Sequence, residues 1–335
     1  MARIPRLFHF VWLRPAREPL PLPWYLALES CFAVNRPEKV SVYVLEEPVG
    51  ELWERLRPRL DVVRAELAPE VERVPDDSPL KRFRWAHHAD FVRLDKLFAH
   101  GGVYADLDTL FVHPIPDALF EQSFVIGHEA PVGDPPQPSL SNCLMLAEPG
   151  APFIALWRAQ MGGAFDGASW TAHSCELVTR LAAEHPDLVH VEPMRTFSAV
   201  EHTIDGVRRL VTGLDPDLAR GLPGVASVHL CAHTWWDWDV VWRTSFFGAL
   251  LTPDFIRAVD TTYTVLARPY LPPGPMPSPA KIQALRALLA AVHATDRLLD
   301  WTSPRRGEIL ARVRPALLPI VRPLVRALRR VRARG

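Results

Sequence analysis

The chain of 335 residues carries 38 acidic and 38 basic side chains, and 48% of its residues are hydrophobic. A chain of this length and composition can bury a large core, as one big domain or as one domain with an appendage. Its four cysteines lie far apart without CxxC or zinc-finger spacing, which excludes a cysteine-based metal centre and predicts free thiols in a reducing compartment.

No apolar run approaches the roughly twenty residues that a membrane helix needs. The first apolar run is too short for a signal-peptide core, and no small-residue cleavage site follows it. We therefore expect a cytoplasmic protein. Abundant alanine, arginine and proline with few lysines are typical of a GC-rich bacterial genome.

Apolar β-runs alternate with helical segments along the chain. We predict strands over residues 4–13, 40–45, 103–105 and 124–127, and helices over residues 24–35, 50–60 and 85–98. Such alternation is typical of an α/β/α sandwich with a mostly parallel sheet, whose ligands lie outside the carboxyl ends of the strands. The composition of residues 129–140 predicts a loop rich in proline and glycine, of the kind that frames a site. No glycine-rich phosphate loop is present, so a bound diphosphate would be held by a metal and side chains.

The most informative stretch is an amphipathic helix that ends at Gly101 and Gly102 and is followed by a short β-run. That run ends at Asp106 and Asp108, two carboxylates separated by one residue at the mouth of a strand. Hard oxygen ligands of this kind suit Mg²⁺ or Mn²⁺, which also bind substrate phosphates. The pattern therefore predicts a metal-bridged diphosphate ligand.

This stretch has two other interpretations. One is a solvated acidic turn after a helix, since acidic pairs are common in loops. The other is a phosphohydrolase of the DxDxT type, but Leu110 occupies the position of that motif's threonine. The full pattern of helix, glycine pair and carboxylates favours the metal site over both.

The same stretch resembles the sugar-binding region of DXD-containing glycosyltransferases, and most closely glycosyltransferase family 32. The residues that carry the resemblance are Asp90, Arg93, Gly101, Gly102, Val103, Tyr104, Asp106 and Asp108. The resemblance implies a glycosyltransferase-A type fold and a retaining, metal-dependent hexosyltransferase. It also implies a nucleotide diphosphate sugar as donor, with UDP-galactose or UDP-glucose favoured over GDP-mannose, and a glycan, lipid-linked or small-molecule acceptor.

The resemblance also assigns roles to residues near the carboxylate pair. Asp106 and Asp108 would hold the metal, Asp90 would accept hydrogen bonds from sugar hydroxyls, and Arg93 would bind a sugar or phosphate oxygen. Tyr104 joins them as a substrate-binding candidate. The open alternative for Asp90 and Arg93, which lie one helical turn apart, is a local ion pair.

Trp12 and Asn142 are further substrate-binding candidates. Trp12 matches a tryptophan that lies against the nucleotide base in the family, and a core tryptophan at a strand end is the alternative. Asn142 offers both a donor and an acceptor to sugar hydroxyls, and an asparagine that caps a turn is the alternative. His173 and Glu176 are possible acceptor contacts, in a segment where Ser-Cys replaces the family's Gly-Pro.

A second informative stretch, residues 225–242, contains two histidines and four tryptophans. The family ends its catalytic core on a similar phrase, and the resemblance makes His229 a third metal ligand. A hydrogen-bonded core histidine is the alternative. Trp235 is the candidate for a sugar platform, because aromatic faces pack on the apolar faces of pyranose rings, and packing alone is the alternative.

Domain boundaries follow from composition. We predict a catalytic domain over residues 1–268, a proline-rich linker over 269–279 and a helical, arginine-rich extension over 280–335. Residues 304–335 hold ten arginines and one glutamate. Such a tail could lie on the inner face of an anionic membrane, or cover an acidic face of its own domain or of a partner. Nucleic-acid binding is disfavoured because no reading motif accompanies the charge.

The sequence thus favours a glycosyltransferase with a Mn²⁺ or Mg²⁺ cofactor, of a family with relatives in bacterial polysaccharide biosynthesis. A carbohydrate-binding protein without turnover and a metal-dependent phosphohydrolase are the alternatives.

Overall fold

The computed structural model describes residues 3–74, 78, 83–133, 135–167, 169–232 and 250–299. The chain falls into two compact units. The first comprises residues 1–202 and 221–230, and the second comprises residues 203–220 and 231–335.

The first unit contains the sheet. Its strands are β1 (Leu7–Trp12), β2 (Lys39–Val44), β3 (Asp61–Arg64), β4 (Gly102–Ala105), β5 (Thr109–Phe111), β6 (Phe124–Val132), β7 (Gln137–Ala147), β8 (His190–Glu192) and β9 (Ser227–His229). Seven of them form one sheet in the order β3-β2-β1-β4-β7-β6-β8, and β5 pairs with β9 in a separate antiparallel ribbon. Within the large sheet only β7 runs antiparallel to its neighbours. The predicted α/β fold with a mostly parallel sheet is confirmed.

Helices pack on this sheet through apolar faces. Those of the first unit are α1 (Leu22–Asn35), α2 (Glu51–Leu56), α3 (Pro69–Glu72), α4 (Arg84–His100), α5 (Pro152–Ala164), α6 (Leu177–Glu184) and α7 (Met194–Phe197). Leu97 of α4, Trp157 of α5 and Leu181 of α6 are fully buried in one cluster with Tyr104 and Ile126 of the sheet. Elsewhere α1 packs against β5, so the short ribbon is anchored next to the end of β4.

The glycine pair sets the path of the chain from α4 into β4. Gly101 and Gly102 have φ values of +64° and +103°, which favour glycine. A Cβ atom on Gly102 would lie 2.3 Å from the Leu7 carbonyl oxygen, so only glycine lets β4 approach β1 this closely. His9 of β1 connects this turn to β2. Its Nε2 donates to the Gly101 carbonyl at 2.8 Å, and its Nδ1 accepts from the Tyr43 hydroxyl at 3.0 Å.

This buried, neutral histidine predicts a pH-dependent stability. Burial lowers the pKa of His9 to about 4, and the charges of His100, Lys39 and Lys96 lower it further, against the hydrogen bond to Gly101. The unfolded chain, with an ordinary histidine pKa near 6.5, therefore binds more protons between these values. The contribution of His9 is complete above about pH 6.5 and is lost as the pH falls toward 4, and it amounts to about 3 kcal/mol.

The measurement is urea unfolding of the wild type and of His9→Gln at about pH 7 and pH 5. Glutamine keeps a donor toward Gly101 but does not titrate, so the variant should lose less stability on acidification by about 2 kcal/mol. Equal losses in the two proteins would show that His9 is not the titrating group. Burial lowers the pKa of His87 to about 4 as well, and that histidine titrates in both proteins.

One local prediction is wrong. Residues 129–140 look like a proline- and glycine-rich loop, but β6 continues to Val132 and β7 begins at Gln137. Glu129 pairs with Ser139 and Val132 with Gln137 in a long hairpin. The hairpin tolerates these prolines because its residues near the tip are exposed. A proline there, which lacks an amide hydrogen, removes few hydrogen bonds from the sheet.

The second unit is helical where it is described. It contains α8 (Ile204–Thr212), α9 (Pro216–Ala219) and three later helices, Pro253–Ala258, Thr262–Ala267 and Pro279–Leu299. Hydrogen bonds from Thr262 and His293 to the carbonyl groups at the end of α8 tie these helices together. Among the described residues, none of the helices combines the length and the hydropathy of a membrane-spanning segment. The arginine-rich tail lies outside the described residues, and the domain boundaries stay a prediction.

Candidate active site

The paired carboxylates lie in a turn between β4 and β5. The Asp106 amide donates to the Cys143 carbonyl at 2.8 Å, and the Asp106 carbonyl accepts from the Thr109 amide at 3.0 Å. This turn buries Leu107 and breaks the strand, so that Asp106 and Asp108 approach one another at the carboxyl end of β4. Sheets of this type bind small molecules at the edge formed by the carboxyl ends of their parallel strands.

His229 completes a group of three potential metal ligands. The ribbon pairs His229 with Thr109, and the Leu230 amide donates to the Asp108 carbonyl at 3.0 Å. The imidazole Nε2 therefore lies 3.1 Å from Asp108 Oδ1 and 3.7 Å from Asp106 Oδ2. All three ligand atoms are within 4.8 Å of one another.

The donor set fits a hard divalent cation. Two carboxylate oxygens and one imidazole nitrogen are ligands that Mn²⁺ accepts, and Mg²⁺ accepts the carboxylates. Burial raises the pKa of Asp106, and the negative charge of Asp108 raises it further, against the lowering influence of Arg93 and His229. A cation between the two carboxylates would relieve this repulsion, as expected of a site built to bind one.

Arg93 fixes one side of Asp106. It is 5% exposed, and its Nη2 lies 3.3 Å from Asp106 Oδ1 and 3.0 Å from Asp90 Oδ1. Its Nη1 donates to the Asn142 carbonyl at 2.7 Å, and its guanidinium lies 4.5 Å from the Tyr104 ring centroid. Although burial lowers the pKa of Arg93, the combined effect of Tyr104, Asp106 and Asp90 raises it, so the side chain stays charged.

Asp90 is enclosed by three donors. Its Oδ1 accepts from Arg93 and from Asn142 Nδ2, the latter at 2.9 Å, and its Oδ2 accepts from His173 Nε2 at 2.9 Å. Burial alone would raise the pKa of Asp90, but Arg93 and His173 outweigh it and the pKa is lowered. Asp90 is therefore an ionised anchor that orients the Arg93 guanidinium and the Asn142 amide.

His87, Asp90 and His173 also bring ligand atoms within 4.8 Å of one another. These side chains are almost completely buried, and both histidine rings pack edge-on against Phe165. Arg93 already compensates the charge of Asp90, and both carboxylate oxygens of Asp90 already accept hydrogen bonds, so neither is left for a cation. We interpret this group as a scaffold that holds Asp90. His173 is fully buried within it, which makes it a support for Asp90 rather than an acceptor contact.

Two of the substrate-binding candidates lie next to the carboxylates. Tyr104 is 2% exposed, and its hydroxyl donates to Asp106 Oδ1 at 2.7 Å, so in this structure it orients Asp106. Asn142 is partly exposed and lies in an irregularity of β7, where the register between β6 and β7 shifts. Bulges of this kind redirect side chains, and here the bulge turns the amide toward Asp90.

The two tryptophan candidates differ, because the structure describes Trp12 but not Trp235. Trp12 ends β1 at the same edge of the sheet and is 4% exposed, and its indole nitrogen has no hydrogen-bond partner within the part of the chain that the structure describes. Trp235 lies outside the described residues. The assignments of both to substrate remain predictions.

Sequence reasoning missed one charged side chain at this edge. Glu129 lies on β6, accepts from Ser139 Oγ at 2.5 Å and lies near His202. The sequence did not indicate Glu129 as a site residue, since it lies in the segment predicted as a loop. Only the pairing of β6 with β7 brings it to the edge of the sheet where the site lies.

Comparison with known proteins matches the part of the chain that carries the paired carboxylates and the Asp90–Arg93 pair. Residues 24–125 match a family model described as the glycosyltransferase sugar-binding region containing a DXD motif. This match includes Asp90, Arg93, Asp106 and Asp108, and it confirms the predicted resemblance.

A relative from Cryptococcus neoformans var. grubii, glucan organizing enzyme 1, is 28% identical over 284 residues, which are 81% of this chain and 71% of the relative. Among solved structures, the PaToxG glycosyltransferase is 13% identical, with 54% of this chain and 70% of that chain covered and a TM-score of 0.40. A mutant transferase is 9% identical, with 55% and 87% covered and a TM-score of 0.34.

Proposed function

We propose that this glycosyltransferase, identified as one by its DXD sugar-binding region, moves a hexose from a nucleotide diphosphate sugar to an acceptor hydroxyl with the help of a divalent metal. The observation that carries the proposal is the convergence of Asp106, Asp108 and His229 within 4.8 Å at the carboxyl edge of the sheet. A metal bound there would neutralise the charge that develops on the departing diphosphate.

The chain's own residues prepare this site before any ligand binds. Tyr104 and Arg93 both engage Oδ1 of Asp106, which leaves Oδ2 directed toward His229 at 3.7 Å. Because Arg93 is rigidly held by Asp90 and by the Asn142 carbonyl, the carboxylate that it contacts is fixed as well. Pre-oriented ligands of this kind bind and stabilise charge without reorganisation during the reaction.

Asp90 and Asn142 form the side of the site that we assign to the sugar. The low pKa of Asp90, set by Arg93 and His173 against the effect of burial, keeps it an acceptor at neutral pH. Asn142 is only partly buried, so its amide can reach a hydroxyl while Asp90 holds it in place. Discrimination between hexoses would come from such paired polar contacts.

The finer assignments rest on the resemblance to family 32. It supports UDP-galactose or UDP-glucose over GDP-mannose, retention of the anomeric configuration, and a glycan, lipid-linked or small-molecule acceptor in polysaccharide biosynthesis. Trp12 and Trp235 are proposed to stack on the base and on a sugar ring. Cytoplasmic action, with the arginine-rich tail on a membrane surface, completes the proposal.

The test is nucleotide binding with and without metal. We expect UDP to bind the purified protein at least tenfold more tightly with Mn²⁺ than after EDTA treatment, and we expect UDP release from a UDP-hexose only with Mn²⁺. A panel of UDP- and GDP-hexoses, monitored by nucleotide release, identifies the donor. Metal-independent UDP binding together with metal-independent release would contradict the proposed site.

A further inference from the structure

We infer that Glu129 is a fourth carboxylate of the site, besides Asp90, Asp106 and Asp108, and binds a hydroxyl of the hexose. The inference rests on the proposed function and extends it to a residue outside the DXD motif. Glu129 has no role in the metal group or in the Asp90 and Arg93 network described above.

The register of the sheet places Glu129 at the edge where the site lies. β7 joins β4 to β6, with Ala105 opposite Leu144 on one side and Glu129 opposite Ser139 on the other. Asn142 lies between these two pairs. The carboxyl ends of β4 and β6 point the same way because each is antiparallel to β7, so Glu129 and Asp106 extend from the same edge.

The face of β6 that carries Glu129 is also the face toward His229. Gly127 lies against Phe197 of α7, since a Cβ there would be 2.8 Å from the phenyl ring, and Glu129 shares its face two residues later. The segment after α7 connects the two groups: the Ser198 carbonyl accepts from the His229 amide at 3.4 Å, and His202 lies beside Glu129. Glu129 and His229 therefore contact the two ends of one five-residue segment.

The Glu129 carboxylate is held at one oxygen only. Its Oε1 accepts from Ser139 at 2.5 Å, whereas its Oε2 lies 3.9 Å from His202 Nδ1, beyond hydrogen-bond reach. Within the described residues Oε2 has no hydrogen bond and the buried His202 Nδ1 has no partner. A hydroxyl can donate to the carboxylate and accept from the imidazole, so it would satisfy both groups.

Electrostatics agree with this placement. Burial raises the pKa of Glu129, while the Ser139 hydroxyl and the imidazoles of His202 and His229 lower it. Burial likewise raises the pKa of the Cys175 thiol, and the Glu129 charge raises it further. Cys175 Sγ lies 3.9 Å from Asn142 Oδ1, so the charge of Glu129 acts on a direct neighbour of Asn142.

The test compares Glu129→Gln with the wild type for two ligands in the presence of Mn²⁺. We expect UDP to bind both proteins within twofold, whereas a UDP-hexose should bind the variant roughly 10- to 100-fold more weakly, the range of one lost charge-assisted hydrogen bond. In a second arm, maltose and lactose are titrated onto the UDP complex, and a loss of binding confined to this arm would overturn the assignment of Glu129 to the donor hexose. The exposed Glu121→Gln is the matched control and should change neither arm.

Ser139→Ala keeps the carboxylate but removes its support, and should weaken sugar binding by a smaller factor without affecting UDP. This second variant keeps the test decisive if Glu129→Gln does not fold. Unchanged binding of UDP-hexose and disaccharides in both variants overturns the inference. Failure of the wild type to bind UDP with Mn²⁺ overturns the proposed function instead, so the two failures are distinguishable.

Discussion

Replacing Asp108 by asparagine is expected to lower kcat by about three orders of magnitude or more while leaving the fold intact. Asp108 is 8% exposed and its Oδ1 lies 3.1 Å from His229 Nε2, so an amide of the same shape fits the position. The substitution removes one of the two carboxylate charges that would hold the metal. UDP release from a UDP-hexose at saturating Mn²⁺ measures the loss, and thermal unfolding checks the fold.

A matched control exists on the same unit. Asp117 is 89% exposed at its side chain and pairs with Arg6 on the surface, so Asp117→Asn should retain the wild-type rate and melting temperature. Wild-type turnover in Asp108→Asn would remove this residue from the site. A large drop in melting temperature would instead show that Asp108 stabilises the turn, and the activity would then be tested in Asp106→Asn.

The core of the site is predictable from sequence because it is local. Asp90 and Arg93 share a helix face by their spacing, and the glycine pair ends that helix directly before the strand that leads to Asp106 and Asp108. All these relations span fewer than twenty residues. Helical and strand periodicity suffice to place them, and the structure shows the Asp90–Arg93 pair as an ion pair at 3.0 Å.

The supporting groups are not predictable in the same way, since they depend on pairing across the sheet. Asn142 reaches Asp90 over 52 positions through the register shift in β7, and His173 reaches it over 83 positions from a π-helical turn. Neither bulges nor π-helical turns leave a reliable composition signal. His229 entered the prediction only by resemblance, and its contact with Asp108 depends on the β5–β9 ribbon, which periodicity did not indicate.

The Arg93→Met variant should lower the free energy of unfolding by about 3–5 kcal/mol, the usual cost of leaving a buried carboxylate uncompensated. Arg93 contacts Asp90 at 3.0 Å, Asp106 at 3.3 Å and the Asn142 carbonyl at 2.7 Å, so a single substitution removes the donor shared by all three. We expect kcat/KM for a UDP-hexose to fall at least 100-fold as well, because Asp106 and Asn142 lose their orientation. Urea unfolding and nucleotide release measure the two effects.

A double variant separates stability from function. Arg93→Met combined with Asp90→Asn removes the uncompensated charge of Asp90. The double variant should therefore recover part of the stability lost in Arg93→Met but none of the activity. Arg93→Lys keeps the charge but lacks the planar fork that spans Asp90, Asp106 and the Asn142 carbonyl, and it too should be impaired. Arg158→Met, which breaks a surface pair with Asp95, should cost at most about 1 kcal/mol. A loss that small in Arg93→Met would mean that Asp90 and Asp106 do not depend on the guanidinium.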